Sequence, residues 1–262
     1  MALKPRYRNY RVSFNFFVTP GVQALLIANF AVFVLQLIVS KYWGALAEYQ
    51  NLEMRFGLVP SAVVFGLRIW QPFTYLFLHD VHTIWHIVFN MLMLWMFGKE
   101  LELVWGRSRF LRYYFLTGVG AGLINVIVKT VPVLFGRPPS DIPTIGASGA
   151  IFGIMIANAI LFPDRRVILF PIPVQLRMRT VVMAMAALTF LGTFGFGDDK
   201  VSHICHLGGM LVGWIYLRRG SFLHRFRNTY SDWKVQRNRK RFEVYMRNQK
   251  NEPPSRPDRW VN

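Results

Sequence analysis

Apolar residues in this chain come in long unbroken runs rather than at the short periods of amphipathic strands and helices. Ile142–Pro163, for example, contains no Asp, Glu, Lys or Arg. Six runs are long enough to be read as spanning helices: Pro20–Val39, Val81–Gly98, Phe110–Val131, Ile145–Phe162, Thr180–Phe196 and Val201–Leu217. Several are near the short end of what crosses a hydrocarbon layer of about 30 Å. Arg112 and Lys129 lie near the ends of the third run, where long basic side chains reach the interface. Two further runs, Phe56–Leu67 and Val167–Leu176, are too short to span. They are broken by Pro60, and by Pro171 and Pro173, and read as loop or interfacial segments.

The placement of charge orients these runs. Of the 31 Lys and Arg residues, four precede the first run, four (Lys99, Arg107, Arg109 and Arg112) lie from the end of the second to the start of the third, and four between the fourth and fifth. Thirteen more follow from Arg218 onward, and only Lys41, Arg55, Arg68, Lys129, Arg137 and Lys200 fall on the other side. Basic residues collect on the cytoplasmic side, so both termini are expected there, with an even number of spans. The expected fold is an all-α membrane protein, a bundle of six transmembrane helices. The expected division is a basic N-terminal segment 1–16, a helical domain 17–219 and a basic tail 220–262. Only 17% of the 262 residues are charged and 53% are hydrophobic, against about 25% charged in a soluble domain.

The net charge of +18 then needs no nucleic acid. A basic tail beside anionic lipid accounts for it, and no RNA-binding fold signature accompanies the charge. Within that tail, Phe222–Asn248 alternates bases with aromatics and reads as a helix on the inner membrane surface. The basic N-terminus followed by a long apolar run reads as an anchor. Without an Arg- and Ser-rich amphipathic leader, a plasma membrane or bacterial inner membrane is expected. The lone Cys205 rules out a disulfide within the chain and a Cys-rich metal site.

Orientation places particular polar groups at one depth. The second, fourth and sixth runs all pass from outside to inside, so His86 and Asn90, Ser148, and His206 lie in the outer halves of three even-numbered spans. Polar groups inside a membrane are costly and usually face a cavity or one another. His86 and Asn90 are four apart and share a helical face. Gly149 with Gly153, and Gly209 with Gly213, repeat the same spacing. Such small-residue faces let helices approach closely. One reading of Ser148 is therefore a packing position. The other is a nucleophile with His206 as its general base, and with His86, Asn90 and the Ser148 backbone N–H around a developing oxyanion. No Asp or Glu sits at that depth, so the pair would be a dyad.

These residues carry a resemblance. His86-Ile-Val-Phe-Asn90, Gly146-Ala-Ser148-Gly149 and His206-Leu-Gly-Gly209 with Gly213, together with Glu102 and Gly106, are similar to the motifs of the rhomboid intramembrane serine proteases, over about Trp70–Leu217. The resemblance implies a six-helix bundle with a water-filled cavity open to the outside, and cleavage of substrate helices near their outer ends. It implies Ser148 as nucleophile, His206 as base, and His86 and Asn90 at the oxyanion. It also implies Phe152 packed on the catalytic histidine. The chain departs from the family's frequent Trp-Arg before the second span, reading Trp70-Gln71, which bears on how that loop is anchored.

The function expected is a serine endopeptidase needing no metal or other cofactor. Its partners would be the bilayer and membrane-protein substrates with helix-destabilising residues, because helical carbonyls are otherwise occupied. The alternatives are a catalytically silent member that binds membrane helices, and a haem or metal protein using His79, His82, His86, His203 and His206. His203, one turn from His206, reads as a structural group of the cavity. Glu102 is expected to bind backbone or an arginine at the inner side.

Overall fold

In the computed structural model, the described residues are 17–42, 52–138, 142–168, 174–196 and 202–218. Two compact units divide the chain, Met1–Trp214 and Ile215–Asn262. Of the second, only the final helical turn, 215–218, is described. The basic segment 1–16, the proposed surface helix Phe222–Asn248 and the tail 220–262 lie outside the described residues.

The first helix, α1 (Pro20–Tyr42), starts with proline at its first turn and has no acidic residue there. A carboxylate from elsewhere fills that role. Glu102 accepts hydrogen bonds from the backbone N–H of Gly21 (2.7 Å) and Val22 (2.8 Å), and from the Thr19 hydroxyl. A negative group at a helix N-terminus meets otherwise unpaired N–H donors. Glu102 thus binds backbone, as expected, but the backbone belongs to the first helix.

Helical residues 52–56 and two short helices follow, α2 (Pro60–Val64) and α3 (Gln71–Thr74), the latter running into a 3-10 turn at Tyr75–Phe77. So Phe56–Leu67 is not all loop: proline fixes the first turn of α2. The departure from Trp-Arg at Trp70-Gln71 bears on how this loop is anchored, and here Gln71 itself ties it down. Gln71 is fully buried; its Oε1 accepts from Val59 N at 3.0 Å and its Nε2 donates to the Met54 carbonyl at 2.9 Å. Arg68 donates to that same carbonyl at 2.8 Å.

The second expected span is three consecutive pieces: α4 (Ile84–Met93), a π-helical turn (Leu94–Gly98) and α5 (Lys99–Trp105). It begins three residues later than expected and runs seven further. The π turn releases a carbonyl from the usual ladder, and the Phe97 carbonyl accepts from Asn158 Nδ2 at 3.1 Å. Gly106, at φ 77°, turns the chain into α6 (Arg107–Leu134). Helix α7 (Ser148–Leu161) is the short central helix, with Gly149–Met155, Ala157 and Asn158 all buried. Apolar residues on every side are what a fully enclosed helix requires. α6 packs on it extensively.

Beyond α7, Arg166–Ile168 (β1) pairs antiparallel with Gln175–Arg177 (β2), Val167 opposite Leu176. This small ribbon stands where the sequence predicts a loop or interfacial segment over Val167–Leu176; residues 169–173 lie outside the described residues. α8 (Met178–Leu191) continues through a π turn at Gly192–Phe196, and α9 covers residues 203–218.

Pro20–Lys41 and Arg107–Leu134 are each long and apolar enough to cross a membrane, while Ser148–Leu161 and Met178–Phe194 are shorter apolar helices. Large apolar side chains point outward on the faces away from the core, among them Ile27, Phe30 and Leu35 of α1 and Met183, Leu188 and Phe190 of α8. In water such faces would be a liability; against lipid they are the expected surface.

Candidate active site

Ser148 is the first residue of α7. It reaches that place because Gly146 adopts φ 118°, a backbone region that disfavours any side chain. The chain before it is pinned twice: Thr144 and Leu58 exchange backbone hydrogen bonds at 2.9 Å, and Gly146 N donates to the Tyr75 carbonyl at 2.9 Å.

His206 stands in the first turn of α9, its N–H on the Ser202 carbonyl. Its Nε2 lies 2.7 Å from Ser148 Oγ. Phe152, one turn along α7, stacks on the imidazole with ring centres 4.2 Å apart and planes 8° from parallel. A hydroxyl at hydrogen-bonding distance from an imidazole can pass its proton to that ring, and an aromatic face against the ring restricts how it turns.

The approach of α7 and α9 rests on Gly209. A methyl group there would collide with the Gly149 carbonyl oxygen. At Gly213 a methyl would first meet the Tyr113 hydroxyl of α6, then Ile156 of α7 at 2.9 Å and the Gly153 carbonyl at 3.2 Å. The two glycine pairs expected to face one another do so only in part. Gly209 receives the Gly149 carbonyl of α7, and Gly149 in turn lies against Cys205 of α9 as well as Ala121 of α6, whereas Gly153 faces Thr117 and Gly213 faces Tyr113, both of α6. α7 is enclosed from both sides, so its small residues serve two neighbours.

His86, in the first turn of α4, reaches the same place. A methyl on Gly146 would lie 2.9 Å from His86 Nε2 and 3.9 Å from Ser148 Oγ. The opposite ring nitrogen, Nδ1, accepts from the Asp80 backbone N–H at 3.2 Å. Asn90 is buried on the same face, but its Nδ2 donates back to the His86 carbonyl at 2.7 Å, which engages one of its two amide hydrogens.

The other histidines separate. His79 packs beside His86, ring centres 5.2 Å apart, while His82 is exposed on the loop with its N–H on Asp80 Oδ1 at 2.8 Å. His203 lies edge-on to His206 at 6.3 Å and packs over Gly192. Among the described residues no three His, Cys, Asp or Glu side chains form a metal-holding group. Cys205 is buried on the other face of α9, its thiol 3.4 Å from the Tyr75 hydroxyl, which in turn donates to the Gly118 carbonyl.

Two supports escaped the sequence reading. Asn125 of α6 donates to Thr144 Oγ1 (3.2 Å) and accepts from Ser202 Oγ (3.1 Å), joining the strand of chain before Ser148 to the start of α9. Gln36 of α1 pairs with the backbone of His79. The available signal was a polar residue within an apolar run.

A half-buried serine–histidine pair in a bundle of apolar helices defines a membrane-embedded protein with a candidate hydrolytic centre. The chain belongs to the rhomboid family: the Rhomboid domain model matches residues 66–221. It is 30% identical to Rhomboid protein 1, mitochondrial, of Saccharomyces cerevisiae over 195 residues, 74% of this chain and 51% of that protein. It is 28% identical to the presenilin-associated rhomboid-like protein, mitochondrial, of Homo sapiens over 140 residues, covering 53% and 35%. Against the rhomboid protease GluP of Bacillus subtilis it is 29% identical over 159 residues, covering 60% and 27%. The chain thus spans about half of the yeast relative, about a third of the human one and about a quarter of the Bacillus one. With relatives named mitochondrial among these, the expected bacterial inner membrane draws no support; the assignment to a membrane holds.

Proposed function

We propose that this protein is an intramembrane serine endopeptidase working through the Ser148–His206 dyad. The observation that carries the reading is the 2.7 Å approach of Ser148 Oγ to His206 Nε2 beneath the Phe152 ring. As Oγ attacks a substrate carbonyl carbon, its proton passes to Nε2. The carbonyl oxygen becomes an oxyanion facing the Ser148 N–H, His86 Nε2 and Asn90. When the C–N bond breaks, His206 returns the proton to the leaving amine, and the acyl group stays on Oγ as an ester. Water then loses a proton to His206 and attacks that ester. The substrate acid leaves, and the proton returns to Ser148. Phe152 does for the imidazole's orientation what a carboxylate does in a triad.

In this reading six helices cross the bilayer with both termini cytoplasmic, as the distribution of Lys and Arg supports. Ser148 begins a helix of 14 residues, about 21 Å long, so the dyad lies below the outer surface of a layer about 30 Å thick. Substrates are membrane proteins whose helices carry helix-breaking or small residues near the outer interface, because a helical carbonyl must leave its ladder before it can be attacked.

The test is cleavage of a single-span reporter in liposomes by wild type, Ser148→Ala and His206→Ala. Cleavage by wild type alone, with both variants folded, supports the dyad. If wild type neither cuts nor takes a fluorophosphonate at Ser148, the reading fails and a silent helix-binding protein replaces it.

A further inference from the structure

The two nitrogens of His86 have different surroundings, and the difference has a remote origin. A peptide N–H can only donate, so the bond from Asp80 N makes His86 Nδ1 an acceptor. A neutral ring then carries its proton on Nε2. Nε2 is the atom turned toward Gly146 and the Ser148 side of the site. The ring therefore presents a donor where the proposed oxyanion would form.

The Asp80 N–H belongs to the same peptide plane as the His79 carbonyl, and in a trans peptide the two point in opposite directions. That carbonyl is held. Gln36, fully buried in α1, donates from Nε2 to the His79 oxygen at 2.9 Å. Its Oε1 accepts from the His79 N–H, also at 2.9 Å. The amide grips the backbone on both sides, as a neighbouring strand would. Residues 78–83 lie outside any helix, so no ladder of their own fixes this peptide. The result is one chain of donors: Gln36 Nε2–H to the His79 carbonyl, the same peptide's N–H to His86 Nδ1, and His86 Nε2–H toward the site. Hydrogen bonds in series polarise one another in an apolar interior.

We propose that Gln36 is a positioning residue that sets the tautomer and orientation of His86 through the His79–Asp80 peptide. Its catalytic consequence rests on the protease reading above; the tautomer itself does not.

The experiment is nitrogen-15 NMR of protein labelled at histidine, with the His86 signal assigned by its loss in His86→Ala. Wild type is expected to show Nδ1 unprotonated and Nε2 protonated. Gln36→Met, which keeps length and removes both bonds, is expected to give a mixture of tautomers and to lower kcat about tenfold with KM little changed, part of what loss of a whole oxyanion donor costs. Gln36→Asn, with the amide withdrawn by one methylene, is the second variant and is expected to do the same. Asn29→Leu removes another buried amide of α1, one bonded to its own helix at the Leu25 carbonyl, and is expected to leave the His86 signal unchanged. A proton on Nδ1 in wild type, or an unaltered His86 signal in a folded Gln36 variant, overturns the proposal. Ser148→Ala with the wild-type tautomer, set beside a wild type that cleaves nothing, would sink the protease reading and leave the tautomer assignment standing.

Discussion

The imidazole of His206 and the ring of Phe152 lie face to face, 4.2 Å apart and 8° from parallel, while the same imidazole meets Ser148 at its Nε2. Phe152 follows Ser148 by one turn of one helix, so a single rigid element carries both the hydroxyl and the surface that orients its partner. Aromatic pairs of this kind contribute about 0.5–1.5 kcal/mol. Phe152→Ala is expected to lower kcat about three- to tenfold, since about 1.4 kcal/mol is tenfold in rate. Phe152→Tyr should keep most of the activity. Steady-state cleavage of the reporter measures both, and equal rates for Phe152→Ala and wild type would remove the stack from the mechanism.

Gly209→Ala tests the approach of α7 and α9. The added methyl meets a carbonyl oxygen of α7, not a flexible side chain, so a helix must move. A displacement near 1 Å costs about a hundredfold in rate. Overpacking costs about 1–3 kcal/mol in stability. Activity is therefore expected to fall further than the melting temperature would suggest. Full activity with Gly209→Ala would mean that the close contact is dispensable.

Glu102 holds the start of α1 and is expected to act on stability. Glu102→Ala leaves the N–H groups of Gly21 and Val22 and the Thr19 hydroxyl without their acceptor. Each stranded buried group costs about 1–3 kcal/mol. Thermal unfolding in detergent should show a clear drop in midpoint, while the protein still folded keeps kcat close to wild type.

Asn125 joins Thr144 to Ser202, and through them the two arms that bring Ser148 and His206 together. Asn125→Leu is expected to lower stability by about 1–3 kcal/mol and to reduce labelling of Ser148 by a fluorophosphonate, because both arms lose a tether. Restoration of labelling by Asn125→Gln but not by Asn125→Leu would assign the effect to the amide. Equal labelling of wild type and Asn125→Leu would sink the idea.

The class of protein was legible along the chain because a bilayer imposes a one-dimensional rule: a spanning segment must satisfy its own backbone, so length and lack of charge identify it. Pro20–Val39 and Phe110–Val131 fall inside helices that the structure draws only a few residues longer. The order of His86, Asn90, Ser148 and His206 and the glycines beside them was enough to place the chain in the rhomboid family. What the pattern of apolar runs does not contain is the π turn at Leu94–Gly98 or the ribbon of β1 and β2, since both depend on partners elsewhere. Asn158 takes the carbonyl at Phe97, and a period of residues along one helix carries no record of that.

The sequence by itself determined the long apolar runs, the clustering of Lys and Arg between and beyond them and the order of the polar groups within them, because each follows from the cost of putting a charge or an unpaired peptide into hydrocarbon. Only the tertiary structure decided that Asn90 turns to the His86 carbonyl, that His82 stands apart from the other histidines, and that Gln36, fifty residues before His86, holds the peptide behind it. Those outcomes depend on distance and direction in three dimensions. A hydrogen bond is lost within a fraction of an ångström or a few tens of degrees, and nothing in the linear order of residues fixes either.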